Sequence, residues 1–369
     1  MLANPNGACT ERMSALEIFG WDIGGANIKA CRMWQGEVLD AAQWPCPLWQ
    51  GLDALTHALQ LAAERWPGLH QSRHAVTMTG EMVDLFSHRQ EGVERIAVHL
   101  AQTLAPSANL WFFAGDDGWC TQAEASRRWA SIASANWLAA ARHVALQSTG
   151  GCGVLVDIGS TTTDLIAFGG GRVLSRGRSD VERLASGELV YHGVVRTPLC
   201  ALAPRIEWRG RLHNVMNEFF ATAADVYRLT GELDPAHDGH PPADGAGKDA
   251  AATHQRLARM IGLDARDAAA DEWQAFAKAW RAAQVAVIGS QLDRVLSLHG
   301  LGRGTRMVAA GCGDFLLPDI LAGLGRPLAL ATYAGHVARL AAGRPELERW
   351  VQVCAPCVAV AALFEREQR

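Results

Sequence analysis

Apolar residues along this chain recur with two different periods, and glycine turns mark where one gives way to the other. Residues 17–22 are extended and mostly apolar and run into Gly24-Gly25; a second extended stretch, 27–34, follows, so the pattern predicts strand, tight turn, strand. Another strand is expected near Val38. Leu52, Leu55, Leu59 and Ala62 recur at helical spacing, which predicts an amphipathic helix over 52–66, stopped by Trp66-Pro67-Gly68. Further on, the pattern predicts strands at 74–79 and 110–114, a helix at 93–104, and a single small-residue-rich helix over 130–146. Residues 154–158 are apolar apart from Asp157, as in a strand buried on both faces. A second glycine turn and a strand over 162–168 come next. Helices are expected at 214–233 and 273–298, with a loop rich in Pro, Gly, Asp and His at 237–248 between them. Residues 307–310 read as a strand, turned by Gly311-Cys312-Gly313-Asp314 into a helix over 315–324. A closing helix at 335–342 and an apolar segment at 351–364 complete the chain; that segment is too short to span a bilayer and contains Pro356.

The two strand-turn-strand units repeat each other. Asp22-Ile23-Gly24-Gly25 can be laid over Asp157-Ile158-Gly159-Ser160, with Asp, Ile and Gly coinciding. A chain of 369 residues exceeds the usual size of one core. The expected fold is therefore α/β, a duplicated two-lobed fold with a cleft between the lobes. The first lobe would cover 16–150, with 334–365 packing back on it; the second would cover 151–333, with a helical insertion at about 214–300.

Composition removes some partners. A net charge of −4 gives no general basic field, which argues against nucleic acid and anionic membrane. Residues 1–17 lack the basic start and apolar run of a signal peptide, and Met13 offers an alternative start. Nine cysteines without framework spacing suit reduced thiols, so a cytoplasmic setting is expected. A homo-oligomer is compatible with the sequence.

The repeated turns are where chemistry is expected. Glycine lets the backbone approach an anion closely and lets successive N–H groups point one way. That assigns Gly24, Gly25, Asn27, Gly159, Ser160, Thr161 and Thr162 to phosphate binding, with Gly311 and Gly313 as a third turn. An aspartate at the strand end repels phosphate directly, but is useful with Mg²⁺ between them. Asp22 and Asp157 are thus the metal candidates. Together with Lys29 and Asp164 they form the expected catalytic set. Glu81, Asn136, Arg196, Asp225 and Lys248 are the candidate substrate-binding residues, and Asp164, Glu81 and Asp225 the candidate bases. The ligand expected is a small phosphorylated molecule.

In this order, the loop at Asp22 to Lys29, the loop at Asp157 to Asp164 and the turn at Val308 to Asp314 resemble the actin, sugar kinase and Hsp70 superfamily, in particular its hydantoinase A and oxoprolinase branch. Several segments narrow the likeness: Gly20-Trp21-Asp22-Ile23-Gly24-Gly25-Ala26-Asn27-Ile28-Lys29, Thr79-Gly80-Glu81-Met82, Ala135-Asn136-Trp137, Tyr191-His192-Gly193-Val194-Val195-Arg196-Thr197-Pro198, and Ala243-Asp244-Gly245 with Lys248. They resemble the tetrahydromethanopterin-linked one-carbon pathway proteins, from about Leu16 to about Val360. The resemblance implies a methanofuran-forming synthase, which joins an aminomethylfuran-methyl diphosphate to the phenol of γ-glutamyltyramine and releases diphosphate. In one departure, Ala26 stands where sugar kinases usually place Thr. The residues also leave open an ATP-dependent kinase or hydantoinase-like hydrolase, with ATP as the cofactor, and a non-enzymatic nucleotide-dependent assembly protein.

Overall fold

The computed structural model describes residues 17–104, 109–148, 150–325 and 328–368. The N-terminal stretch and Met13 lie outside the described residues. In chain order, the first sheet is built from β1 (Ile18–Ile23), β2 (Asn27–Trp34), β3 (Glu37–Pro45), β4 (Arg73–Met78), β5 (Leu110–Phe113) and β6 (Trp119–Cys120), arranged β3-β2-β1-β4-β5-β6. The second half follows with β7 (Cys152–Ile158), β8 (Thr163–Gly169), β9 (Arg172–Val173), β10 (Leu189–Val190), a separate hairpin of β11 (Arg205–Trp208) and β12 (Arg211–Asn214), and then β13 (Arg306–Ala310) and β14 (Ala329–Thr332). Its sheet runs β10-β8-β7-β13-β14, with β9 paired to β8.

The two sheets share one plan. β1 and β7 are central strands, completely or almost completely buried, because each has neighbours on both edges and helices on its faces. Each pairs antiparallel with the strand after its glycine turn and parallel with a later strand: β1 with β2 and β4, β7 with β8 and β13. The registers match as well. Asp22 lies opposite Lys29, and Asp157 lies opposite Asp164. The sequence repeat is therefore a structural repeat.

Each half has a core of its own, and a third core joins them. Helices Asn136–Gln147 and Ala355–Glu367 bury Leu138, Val144, Val358 and Phe364 together with Ile18 and Cys31 of the first sheet and Leu155 and Ile166 of the second. At Gly20, a Cβ would collide with the carbonyl of Cys357, so glycine is what lets this helix lie directly on β1.

Four expected helices differ. The single helix over 130–146 is two, Trp129–Ile132 and Asn136–Gln147, because Ser134 takes a left-handed conformation (φ 50°). The helix over 214–233 shrinks to Ala223–Thr230: Asn214 belongs to β12, and the helix starts only at Thr222, whose backbone N–H donates to Asp225. At 315–324 a 3-10 turn, Asp314–Leu316, precedes a short helix, Leu317–Gly323. The closing helix is only Tyr333–His336, because the next residues pair with β3 instead, with Val38 N–H donating to Arg339 and Ala341 N–H to Val38. The helix Ala250–Arg259 was not anticipated. Among the described residues, no single helix is long and apolar enough to cross a membrane.

Candidate active site

The two glycine turns close in the same way. Gly24 N–H donates to the Asn27 carbonyl at 3.0 Å, and Gly159 N–H to the Thr162 carbonyl at 2.8 Å. Each tip is then held from behind by a later segment. Cys46 and Leu48 donate to the carbonyls of Ala26 and Gly25, while Val194 donates to Gly159, and Val195 and Arg196 to Ser160. With their carbonyls engaged by the protein, the tips are fixed without any ligand.

Both turns face one cavity of about 460 Å³, a volume typical of small-molecule sites. Asp22, Gly24, Gly25, Asn27 and Lys29 line it from the first half, and Asp157, Gly159, Ser160, Thr161, Thr162 and Asp164 from the second. Asn136 and Arg196 also line it. Eleven loop and strand-end residues expected at the site, and these two more, are thus brought together.

The charges on the cavity floor hold one another. Desolvation pushes the Asp22 carboxyl up to about 6, against the pull of Lys29 and a hydrogen bond from Asn136. Desolvation pushes Asp157 up to about 7; Lys29 opposes this, while Asp164, Asp22 and Asp314 add to it. For Lys29, desolvation works against the ammonium, but Asp22 and Asp157 outweigh it and hold its pKa above the usual value. Asp22 Oδ1 is buried and accepts no hydrogen bond. Such an orphaned carboxylate oxygen is costly unless something binds there.

Asp164 is raised by desolvation, which its ion pair with Arg183 counters. Arg183 is buried and its guanidinium lies 4.2 Å from the Trp137 ring centroid. From Asp164 a line of alternating charge leads across the cleft: Arg183, Asp180 at 3.6 Å, Arg89 at 3.4 Å from Asp180, and Glu81 at 2.9 Å from Arg89. Glu81 is buried, accepts also from Ser134, and is not part of the cavity wall. It holds Arg89 in a hydrogen-bonded ion pair.

Three further expectations fall elsewhere. Asp225 is fully buried in ion pairs with Arg228 (2.7 Å) and Arg256 (2.8 Å) and caps its own helix, so it is a structural carboxylate away from the cavity. Lys248 donates to the carbonyl of Asp238 and pairs with its carboxylate at 3.2 Å; it does not line the cavity. Gly311 and Gly313 are packed against the end of β7: a Cβ on Gly311 (φ 87°) would strike Ile158, and one on Gly313 would meet Ile158 and Val194. The third turn therefore buttresses the second loop and is absent from the cavity wall.

Sequence reasoning passed over Arg183, Asp180, Arg89 and Ser134. The capping-box pattern of Ser179 with Glu182 was a readable signal for the helix Asp180–Ser186 that carries two of them. Sequence reasoning reads His240 only as part of the polar 237–248 loop. This side chain comes from the 237–248 loop and meets Asn27 of the first turn at 3.2 Å. Among the described residues, no group of three or more His, Cys, Asp or Glu side chains is arranged to hold a metal unaided.

Comparison with known proteins agrees with this architecture. The chain is 30% identical over 332 residues, covering 88% of it and 97% of the relative, to the (4-{4-[2-(gamma-L-glutamylamino)ethyl]phenoxymethyl}furan-2-yl)methanamine synthase of Methanocaldococcus jannaschii. A protein of the same name from Methanococcus vannielii is 30% identical over 171 residues, 46% of this chain and 75% of that one. Among solved structures, nucleotide-free acetone carboxylase superposes with a TM-score of 0.53 at 10% identity, over 94% of this chain and 70% of that one, which shows a shared fold. A ROK family glucokinase from Streptomyces griseus gives a TM-score of 0.46 at 14% identity, over 94% and 98% of the chains. The hydantoinase/oxoprolinase family model matches residues 73–342. With most of its length matched in this way and the duplicated sheets in place, the chain belongs to the hydantoinase/oxoprolinase family.

Proposed function

We propose that this chain forms an aryl ether: it joins the phenol oxygen of γ-glutamyltyramine to the methylene of an aminomethylfuran-methyl diphosphate. The new bond is carbon to phenol oxygen; the bond that breaks is carbon to diphosphate oxygen, and diphosphate leaves with the electron pair. The phenol proton passes to a protein carboxylate. Such a product carries the phenoxymethylfuran and γ-glutamyl groups in the name of the Methanocaldococcus jannaschii relative. The reading extends to methanofuran-type biosynthesis in a cytoplasm, in support of tetrahydromethanopterin-linked one-carbon metabolism.

One observation carries it: Lys29 sits with Asp22 and Asp157 at the floor of a cavity walled by both glycine turns but not by the third. Two facing turns of backbone N–H groups with a buried ammonium suit a diphosphate. A nucleoside would need the third turn, and Gly311 and Gly313 do not line the cavity. Ala26 lines the cavity without a hydroxyl, which also weighs against a γ-phosphate site.

The donor set fits Mg²⁺ bound together with the ligand's oxygens. Asp22 and Asp157 are hard oxygen ligands, and Asp22 Oδ1 lacks a partner. These two residues would hold the ion, which would neutralise the diphosphate and make it a better leaving group. The protein's own groups do the rest. Lys29 adds charge at the departing oxygens, and Ser160, Thr161 and Thr162 offer hydroxyls. A phenol loses its proton near pH ~10, so it needs a base. Of the three carboxylates considered, Asp164 alone lines the cavity, which supports it as the acceptor of that proton.

The test supplies purified protein and Mg²⁺ with the furan diphosphate and γ-glutamyltyramine, and separately with ATP and candidate acceptors. Coupled ether with stoichiometric diphosphate is expected. ADP formation without coupling would overturn the proposal in favour of an ATP-dependent enzyme.

A further inference from the structure

The mouth of the cavity carries large side chains that proteins seldom leave together in water. Trp49 is 39% exposed, Met82 54% and Tyr191 61%, and all three line the cavity. Each stands on a tight element. Trp49 is in the 3-10 turn Leu48–Gln50, whose first N–H holds the tip of the first glycine turn; Met82 ends the 3-10 turn Gly80–Met82; Tyr191 directly follows β10. Trp49 and Met82 belong to the first half and Tyr191 to the second, so a flat ligand between them would touch both.

Arg196 completes this mouth. Its guanidinium crosses the cleft to lie 5.3 Å from the Trp49 ring centroid. Its backbone N–H is tied to Ser160, and its Nη1 reaches Thr161 Oγ1 at only 3.5 Å. Arg183, which lines the same cavity, and Arg89 beside it are both paired with carboxylates. Arg196 has no carboxylate partner among the described residues, and the nearby ionisable groups are Tyr191 and the His240 imidazole. A guanidinium laid over an indole keeps its in-plane N–H edge available, and that edge matches a carboxylate in two parallel hydrogen bonds. The diphosphate position on the floor is already supplied with Lys29, backbone N–H groups and hydroxyls.

We infer that Trp49, Tyr191 and Arg196 form the acceptor subsite, which selects an aromatic ring bearing a carboxylate tail. The inference rests on the proposed ether-forming reaction: the ring would be the phenol and the tail the glutamyl carboxylate. Arg196 would then set which phenol is used, and would leave the affinity for the furan diphosphate alone.

The experiment compares γ-glutamyltyramine with tyramine, which has the ring and lacks the glutamyl carboxylate, in the wild-type protein, Arg196→Gln and Trp49→Ala. Both turnover and calorimetric binding are read. The wild type should prefer γ-glutamyltyramine by about 10–100-fold, the usual worth of a charge-assisted hydrogen bond. Arg196→Gln should erase that preference, with KM for the furan diphosphate unchanged. Trp49→Ala should weaken both acceptors alike. The inference is overturned if Arg196→Gln keeps the preference, or if its defect lies in KM for the furan diphosphate. If no ether forms with either acceptor, the reaction itself is misassigned, and calorimetry still decides the subsite: failure of γ-glutamyltyramine to bind more tightly than tyramine removes it.

Discussion

The two glycine turns are the same backbone carrying opposite equipment. Gly24-Gly25-Ala26-Asn27 is nearly bare of donors, and the strand that leaves it brings Lys29 opposite Asp22. Gly159-Ser160-Thr161-Thr162 is rich in hydroxyls, and the strand that leaves it brings Asp164 opposite Asp157. One ladder position therefore holds an ammonium in the first half and a carboxylate with its arginine in the second. Duplication supplies two like turns on one cavity, and divergence at one register position puts an ammonium on one side and a carboxylate on the other.

The sharpest way to break this comparison is at Lys29. Lys29→Met leaves Asp22 and Asp157 together without their cation, and kcat/KM should fall by roughly 10²–10³-fold, as when a preorganised charge donor is lost. Steady-state kinetics at saturating Mg²⁺ checks this; a loss under about 10-fold would mean that the second cradle suffices. Next is Asp157→Asn. Its Mg²⁺-dependent turnover should drop by about 10–100-fold or more, with the circular-dichroism spectrum unchanged; unaltered turnover would remove Asp157 from the site. Making the second turn as bare as the first, with Ser160→Gly and Thr161→Ala, should raise KM for the furan diphosphate by about 10-fold and spare kcat. Ala26→Thr, the converse change, should confer no ATP turnover.

The smallest effect concerns pH. Asp157 is raised from 3.8 to about 7 in the folded protein, so the folded state holds that proton more tightly than the unfolded chain does. The stabilisation this gives is fully present below about pH 4 and is lost as the pH rises through about 7. Without Mg²⁺ or ligand, the wild-type melting temperature should therefore fall relative to Asp157→Asn between pH 5 and pH 8. Activity should move the other way, rising as Asp157 ionises. Parallel melting curves of the two proteins would show no such divergence if the carboxylate were ordinary.

The parts of the molecule legible from sequence were those with a local signature. Both turns, their flanking strands and the helix Ala270–Leu298 follow from periodicity and glycine placement. What escaped depends on distant partners. Nothing next to Ser134 in the sequence announces its left-handed turn; the turn exists because its hydroxyl meets Glu81 and Arg89, some fifty residues earlier in the chain. Asp225 reads as a candidate base because nothing local distinguishes a catalytic acid from a buried, paired one, and only the fold shows Arg256 against it. Gly311 and Gly313 read as a ligand turn because glycine has the same pattern whether it admits an anion or the backbone of β7.

The helix Ala355–Glu367 bears on how this protein comes into being. It seals β1 at Gly20, and the Cys31 thiol meets the Cys357 carbonyl across 326 positions of sequence. On the ribosome the first sheet is synthesised early but must wait for its lid, whereas the second sheet has its strands and its long helix already in hand. The second half is thus placed to fold first, and the first cradle to be completed last. Release of a chain stopped before Ala355 should leave protease-sensitive residues confined to the first half.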